Sequence, residues 1–199
     1  SREGILLNDL PAGARVGTSS RRRIIQLRRA RPDVEPVEFR GNIDTRLRKV
    51  QDDRVDAALL AAAGISRMGW GDRITEYLSL DDFVPAPGQG AMGVECRADD
   101  DRVLALLAGL NKPDIALAIE VERAYLRAVG GGCTSPIGAN AVVESGVVTL
   151  RAMLADEAMT HMLYVTRSAP AADALVMAGE LAGEMKRQLP EPVERRDQL

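Results

Sequence analysis

Between Ala14 and Ala63 short apolar runs alternate with amphipathic stretches, and no other feature of the sequence limits the fold as much. Arg15-Val16-Gly17-Thr18 reads as the end of a strand, and Ser19-Ser20 are placed to cap a helix that runs to about Arg31, where Pro32-Asp33 stops it. Val34 to Phe39 alternates apolar and polar residues as a strand does. Asn42 is placed to cap a second helix through Asp52, with Ile43, Leu47 and Val50 on one face. Ala57-Ala58-Leu59-Leu60 reads as a short buried strand, and Gly64 and Gly69 punctuate a helical turn behind it. This βαβαβα order predicts an α/β fold, a parallel sheet with helices on its faces.

In such a sheet, ligands gather at the carboxyl ends of the strands, where loops and helix N-termini converge. Three polar motifs fall there: Thr18, Ser19 and Ser20 with Arg22 and Arg23, then Arg40-Gly41-Asn42 with Arg46, then Ala63-Gly64 with Arg67. Guanidinium groups and free helix N–H groups together predict an anion site, and five arginines imply a ligand with several negative groups. Arginine supplies 23 of the 26 basic residues, so abundance alone says little and position decides. Arg28, Arg29, Arg31, Arg48 and Arg54 lie further along their helices or beyond them and are assigned to the surface.

Further on, Phe83 to Gly90 contains two prolines and two glycines and reads as a hinge or crossover. Ala91 to Cys96 reads as a strand, and Asp99 to Leu110 as a helix with Val103, Leu104 and Leu107 inward. A longer helix follows, capped by Asp114, with Ala118, Val121, Tyr125 and Ala128 on one face, ending at the glycines 130–132. Strands are expected at Ala139 to Glu144, Val147 to Leu154 and His161 to Arg167, with a turn at Ser145-Gly146 and a closing helix from about Ala171 to Gln188. The organisation expected is an α/β domain over 1–84, a hinge with one strand and one helix over 85–111, and a small α+β domain with an antiparallel sheet over 112–199. His161 is read as structural or solvent-facing, Trp70 is given no role, and the tail 191–199 is expected to fray.

Cys133 stands in Gly130-Gly131-Gly132-Cys133-Thr134-Ser135-Pro136-Ile137-Gly138, which places a thiol on an open loop after a helix. Cysteine is more often a buried small hydrophobe, so this position points to chemistry. Cys96 and Cys133 form no disulfide framework, and with the single His161 they lack the spacing of a metal site; free thiols suit a cytoplasmic protein. A net charge of -3 with 3% aromatic residues argues against a nucleic-acid surface, and the longest apolar run, Ala57 to Ile65, is too short to span a bilayer.

Taken together the motifs resemble the porphobilinogen deaminase (hydroxymethylbilane synthase) family. They are Gly17-Thr18-Ser19-Ser20-Arg21-Arg22-Arg23, Arg40-Gly41-Asn42 with Thr45-Arg46-Leu47, Ala63-Gly64 with Arg67, Pro85 to Gly90 with Glu95, and Gly131-Gly132-Cys133 with Pro136-Ile137-Gly138. The resemblance implies a transferase of tetrapyrrole (porphyrin and heme) biosynthesis that condenses four porphobilinogen molecules with loss of ammonia to give hydroxymethylbilane. It implies a dipyrromethane cofactor joined to Cys133. It assigns Thr18, Ser20, Arg22, Arg23, Arg46 and Arg67 to that cofactor, and Arg40, Arg46 and Gln89 to the incoming substrate. A monomer is implied when complete, with no nucleic-acid or membrane partner. Arg21, where the family more often has an apolar residue, is expected to face solvent.

The resemblance also implies an N-terminal stretch with a Lys-Asp pair that handles protons. That stretch is not read among residues 1–199, so the chain is expected to hold the second and third domains, with residues 90–110 left from the first. No catalytic residue of that kind is expected here, and the isolated chain is expected to be inactive. Two other classes share the arginine pattern. One is a non-catalytic carboxylate-binding module, since the βαβ half resembles the periplasmic-binding-protein fold. The other is a scaffold remnant that docks a partner chain. An exposed thiol distinguishes the enzyme from the binder.

Overall fold

The computed structural model describes residues 1–130 and 135–190. β1 (Arg15–Gly17) lies between β2 (Glu35–Val37) and β3 (Ala57–Ala58), with both pairings parallel. α1 (Arg21–Ala30) joins β1 to β2, α2 (Ile43–Gln51) joins β2 to β3, and α3 (Ala62–Arg67) follows β3. Two strands are shorter than their apolar runs, because Val34 and Phe39 are buried as flanks beyond the ladder and Leu59-Leu60 leave it after Ala58. The sheet ends tightly at Gly17: a Cβ there would lie 2.6 Å from the Phe39 ring, so only glycine lets the end of β1 pass beneath it. Asn42 caps α2 as expected, its Oδ1 accepting from the Thr45 N–H at 2.8 Å.

Beyond the crossover come α4 (Asp101–Ala108) and α5 (Pro113–Val129), then the strands β4 (Ile137–Glu144), β5 (Val147–Ala155) and β6 (Met162–Pro170), and α6 (Ala174–Gln188). The strands form an antiparallel sheet in the order β4-β5-β6, with Ile137 opposite Leu154 and Val147 opposite Pro170. Ser145 and Gly146 both have positive φ, 51° and 78°, as a tight hairpin turn requires. One face packs on α5 and α6 through Val121, Tyr125, Leu150, Leu181 and Met185, all 1% exposed or less. Each such side chain contributes about 1.5 to 3 kcal/mol. The other face, through Met153, Ala155, Met162 and Tyr164, meets Ile25 of α1 and Val84 of the crossover.

Several expectations are corrected. Ala91 to Cys96 forms no strand, and residues 91–96 are all exposed; a strand needs a partner ladder, and among the described residues none lies beside it. α4 has no buried residue, and Leu104 is outward. The cap of α5 is Lys112 rather than Asp114, because Pro113 occupies the first turn, where its missing N–H costs nothing. Ala128 is exposed. His161 sits in the hairpin before β6 rather than in the strand, and a 3-10 turn (Ala171–Asp173) precedes α6. Arg31 is not a plain surface residue, since it donates to the carbonyls of Leu7 and Leu10 and to Asp33, tying the end of α1 to the first segment. Arg21 does not simply face solvent: its guanidinium donates to the Glu157 carbonyl and contacts Met159 Sδ at 3.4 Å, across to the β5–β6 hairpin. The tail 191–199 and Cys133 lie outside the described residues.

Candidate functional site

α1 starts where β1 ends, and the turn between them is made by Thr18. Its N–H donates to the Val37 carbonyl at 3.0 Å and its hydroxyl accepts from the Ser20 N–H at 3.3 Å. Ser20 occupies the cap position of α1 with no side-chain cap bond, while Ser19 Oγ accepts from the Phe39 N–H at 2.9 Å. The first turn of α1 then carries Arg21, Arg22 and Arg23 and no acid. Three cations thus crowd the positive end of a helix dipole, which is unfavourable unless an anion answers them.

Arg22 is 7% exposed, and donates to the Val84 carbonyl at 2.7 Å and to Gln89 Oε1 at 3.3 Å. Arg23 donates to the Leu59 carbonyl at 3.1 Å. Burial, then the neighbouring Arg23, pushes the Arg22 guanidinium down to about 10, and burial, then Arg46, lowers Arg23. Arg46 Nε is buried with no hydrogen-bond partner. Among the described residues none of Arg22, Arg23, Arg46 and Arg67 is in an ion pair, whereas Arg29, Arg31, Arg40 and Arg48 pair with Asp82, Asp33, Glu38 and Asp44. Arg22 and Arg23 therefore keep their charge uncompensated and their geometry set by neutral acceptors, an arrangement that suits carboxylate binding.

Arg22, Arg23 and Gln89 line a cavity of about 700 Å³ together with apolar residues such as Val16, Leu59 and Phe83. Thr18 and the exposed Arg40 line a separate recess of about 250 Å³. Arg67 is exposed in the last turn of α3, Ser20 stands at the cap of α1 and Arg46, on α2, sits beside Arg23; none of the three lines the larger cavity. The sequence reading missed Gln26, wholly buried, which accepts from the Val84 N–H at 2.7 Å and donates to the Val84 carbonyl at 3.2 Å, steadying the acceptor of Arg22. It also missed Glu122, 4% exposed on α5. The available signal in both cases was a polar residue inside an apolar helical stripe. Among the described residues no cluster of His, Cys, Asp and Glu is placed to hold a metal, and no helix is long and apolar enough to cross a membrane.

Residues 1–105 match the family model described as porphobilinogen deaminase, dipyromethane cofactor binding domain, and residues 116–187 match the porphobilinogen deaminase C-terminal domain. The chain belongs to the porphobilinogen deaminase family. A porphobilinogen deaminase of Syntrophobacter fumaroxidans is 46% identical over 185 residues, which is 93% of this chain and 60% of that protein. Porphobilinogen deaminases of Roseiflexus castenholzii and Syntrophotalea carbinolica are 47% and 44% identical, over 93% and 90% of this chain and 61% and 57% of their own lengths. The chain thus spans about three fifths of the length of these relatives. The parallel and antiparallel sheets described above are the folds of the two deaminase domains in this chain.

Proposed function

We propose that the chain serves the deaminase reaction of tetrapyrrole biosynthesis, the condensation of porphobilinogen into hydroxymethylbilane, with Cys133 as the anchor of a dipyrromethane cofactor. The observation that carries this reading is the uncompensated trio Arg22, Arg23 and Arg46, with Arg46 Nε buried and unpartnered. Acetate and propionate groups are the anions such a trio fits: planar carboxylates accept two parallel N–H bonds from one guanidinium, and several on one ligand would engage several arginines. When bound, the dipyrromethane would supply the free pyrrole carbon that receives the first ring. The chain's own residues hold and orient. Arg22 and Arg23, kept in place by the carbonyls of Val84 and Leu59, fix the carboxylates, and Thr18, Ser20, Arg46 and Arg67 complete that binding set. Arg40, Arg46 and Gln89 are assigned to the incoming porphobilinogen. Holding the rings in line lowers the entropic part of the barrier, and the fixed positive field favours a ligand rich in negative charge.

The same reading divides the chain into an arginine-bearing unit over 1–84, a linking segment over 85–111 and a cysteine-bearing unit over 112–199. It extends to a cytoplasmic monomer with no nucleic-acid or membrane partner. A free, exposed thiol at Cys96 suits a reducing compartment. The test is calorimetric titration of porphobilinogen into the purified chain and its Arg22→Leu, Arg23→Leu and Arg28→Leu variants, with mass mapping of cysteine peptides afterwards. Losing one charge-assisted pair of about 1.5 to 3 kcal/mol should weaken binding tenfold or more at Arg22 or Arg23 and leave Arg28→Leu unchanged. Equal affinity in all variants, or a pyrrole adduct on Cys96 in place of Cys133, would overturn the assignment.

A further inference from the structure

Both stems of the segment 131–134 are tied to the crossover that holds Arg22. α5 runs into Gly130 on one side, and β4 begins at Ile137 on the other. Glu122, in the body of α5, reaches both partners at once: Oε2 accepts from the Gly88 N–H at 2.6 Å and Oε1 from the Ala141 N–H at 2.8 Å. One carboxylate therefore joins the helix, the free edge of β4 and the crossover. Along the same line the Pro85 carbonyl accepts from the Ala139 N–H at 2.9 Å, and a Cβ on Gly138 would lie 3.0 Å from the Cβ of Val84. Strand and crossover thus meet with no spare room.

The crossover also faces the arginines. Val84 and Gln89, at either end of Pro85 to Gly88, are the two acceptors of Arg22, and Gln26 grips Val84 through both its N–H and its carbonyl. A displacement of Gly88 has short routes to Arg22 on both sides, through its neighbour Gln89 and back through the prolines to Val84. Burial pushes the carboxyl of Glu122 up, against the two N–H bonds that favour its charge. Two backbone donors alone do not call for a carboxylate at this position, since water or a neutral side chain satisfies such groups elsewhere. What a carboxylate adds is two rigidly related acceptors on one side chain, which serve two different elements at a fixed separation.

We infer that Glu122 is a positioning residue, which sets Arg22 and Gln89 against both stems of the Cys133 segment by clamping Gly88 and Ala141 together. The inference rests on the reading of Arg22 as a carboxylate-binding arginine. It assigns Glu122 no contact with substrate or cofactor.

The test uses the full chain and its Glu122→Gln and Glu122→Asp variants, with Glu120→Gln, an exposed residue of the same helix, as control. Glutamine keeps the volume but turns an amide NH2 toward one of the two N–H donors, so one contact opens. Aspartate keeps both oxygens and withdraws them by a methylene. Hydrogen exchange is followed at the Gly88 and Ala141 amides and at the Arg22 guanidinium, and the dissociation constant for porphobilinogen is measured by calorimetry. In Glu122→Gln, exchange should quicken at Gly88 or Ala141 and also at Arg22, and binding should weaken by about tenfold, the effect of one misplaced charge-assisted contact. Should that variant fail to fold, Glu122→Asp gives the same comparison. Local loosening at Gly88 or Ala141 with Arg22 exchange and porphobilinogen affinity at control values would show a merely structural carboxylate and overturn the inference. A wild-type chain with no affinity for porphobilinogen would instead overturn the ligand reading, and Arg22 exchange would then decide the positioning role alone.

Discussion

Arg23 pits binding against folding on a single side chain. Its guanidinium leans on Arg22 and Arg46 with a carbonyl as its hydrogen-bond partner, so the folded chain carries a partly desolvated charge that water would hold better. Arg23→Met is therefore expected to leave the melting temperature of the ligand-free chain unchanged or slightly higher, since an apolar side chain of similar volume relieves both burial and repulsion. The same variant should bind porphobilinogen at least tenfold more weakly. Thermal melts and calorimetry on one preparation check both, and a substantial drop in melting temperature would mean that Arg23 is primarily structural. Gly17 is the opposite case, a residue whose value is its lack of a side chain. Gly17→Ala should cost about 1 to 3 kcal/mol by forcing the Phe39 ring aside, measured by denaturant unfolding.

At the scale of the element, α2 and α6 give contrasting predictions. α2 carries Arg46 and is started by Asn42, whose side chain satisfies one of the free N–H groups of the first turn. Asn42→Ala should lower stability by about 1 kcal/mol and weaken porphobilinogen binding with it, because fraying the first turn loosens Arg46. α6 contains Gly179, around which a new Cβ would meet nothing within 4 Å. Gly179→Ala should therefore raise stability by about 0.5 to 1 kcal/mol through reduced freedom of the unfolded chain, with no effect on binding. Denaturant unfolding of both variants checks the pair, and α6 serves as the control because it packs on α5 and the antiparallel sheet and lines neither recess.

For the whole molecule, the two halves are joined by α1 lying against the antiparallel sheet, with Arg21 reaching the carbonyl of Glu157 in the β5–β6 hairpin. That hairpin is organised by Asp156. Burial pushes its carboxyl up, but hydrogen bonds from the Thr160 hydroxyl and from the N–H groups of Thr160 and His161 prevail and hold it at about 2. A carboxylate depressed on folding contributes stability above its unfolded value of 3.8, and that contribution is lost as pH falls toward about 2. Asp156→Ala should therefore melt below the wild type at pH 7, and the gap should close between about pH 4 and pH 2. A gap independent of pH would place the effect in packing instead.

The α/β alternation, the cap at Asn42, the Ser145-Gly146 turn and the candidate arginines were legible in the residues, because each depends on local spacing or on one residue's backbone preference. Arg22 and Arg23 were singled out as candidate anion ligands by their place after β1. The carbonyls of Val84 and Leu59 that aim them were not, because those acceptors belong to backbone distant in sequence and carry no mark of their own. Ala91 to Cys96 has the apolar content of a strand, yet a strand exists only where another backbone supplies its partners. Gln26, Glu122 and Arg21 read as ordinary helical polar residues until the fold sets them against the crossover, β4 and the β5–β6 hairpin. The sequence by itself determined most of the elements, the strand at Ala91 to Cys96 excepted, and which side chains are candidates to hold an anion, since propensity, spacing and charge act over a few residues. Only the tertiary structure decided which arginines stay uncompensated and which polar groups bridge the halves, because burial and hydrogen-bond partners are properties of neighbours in space.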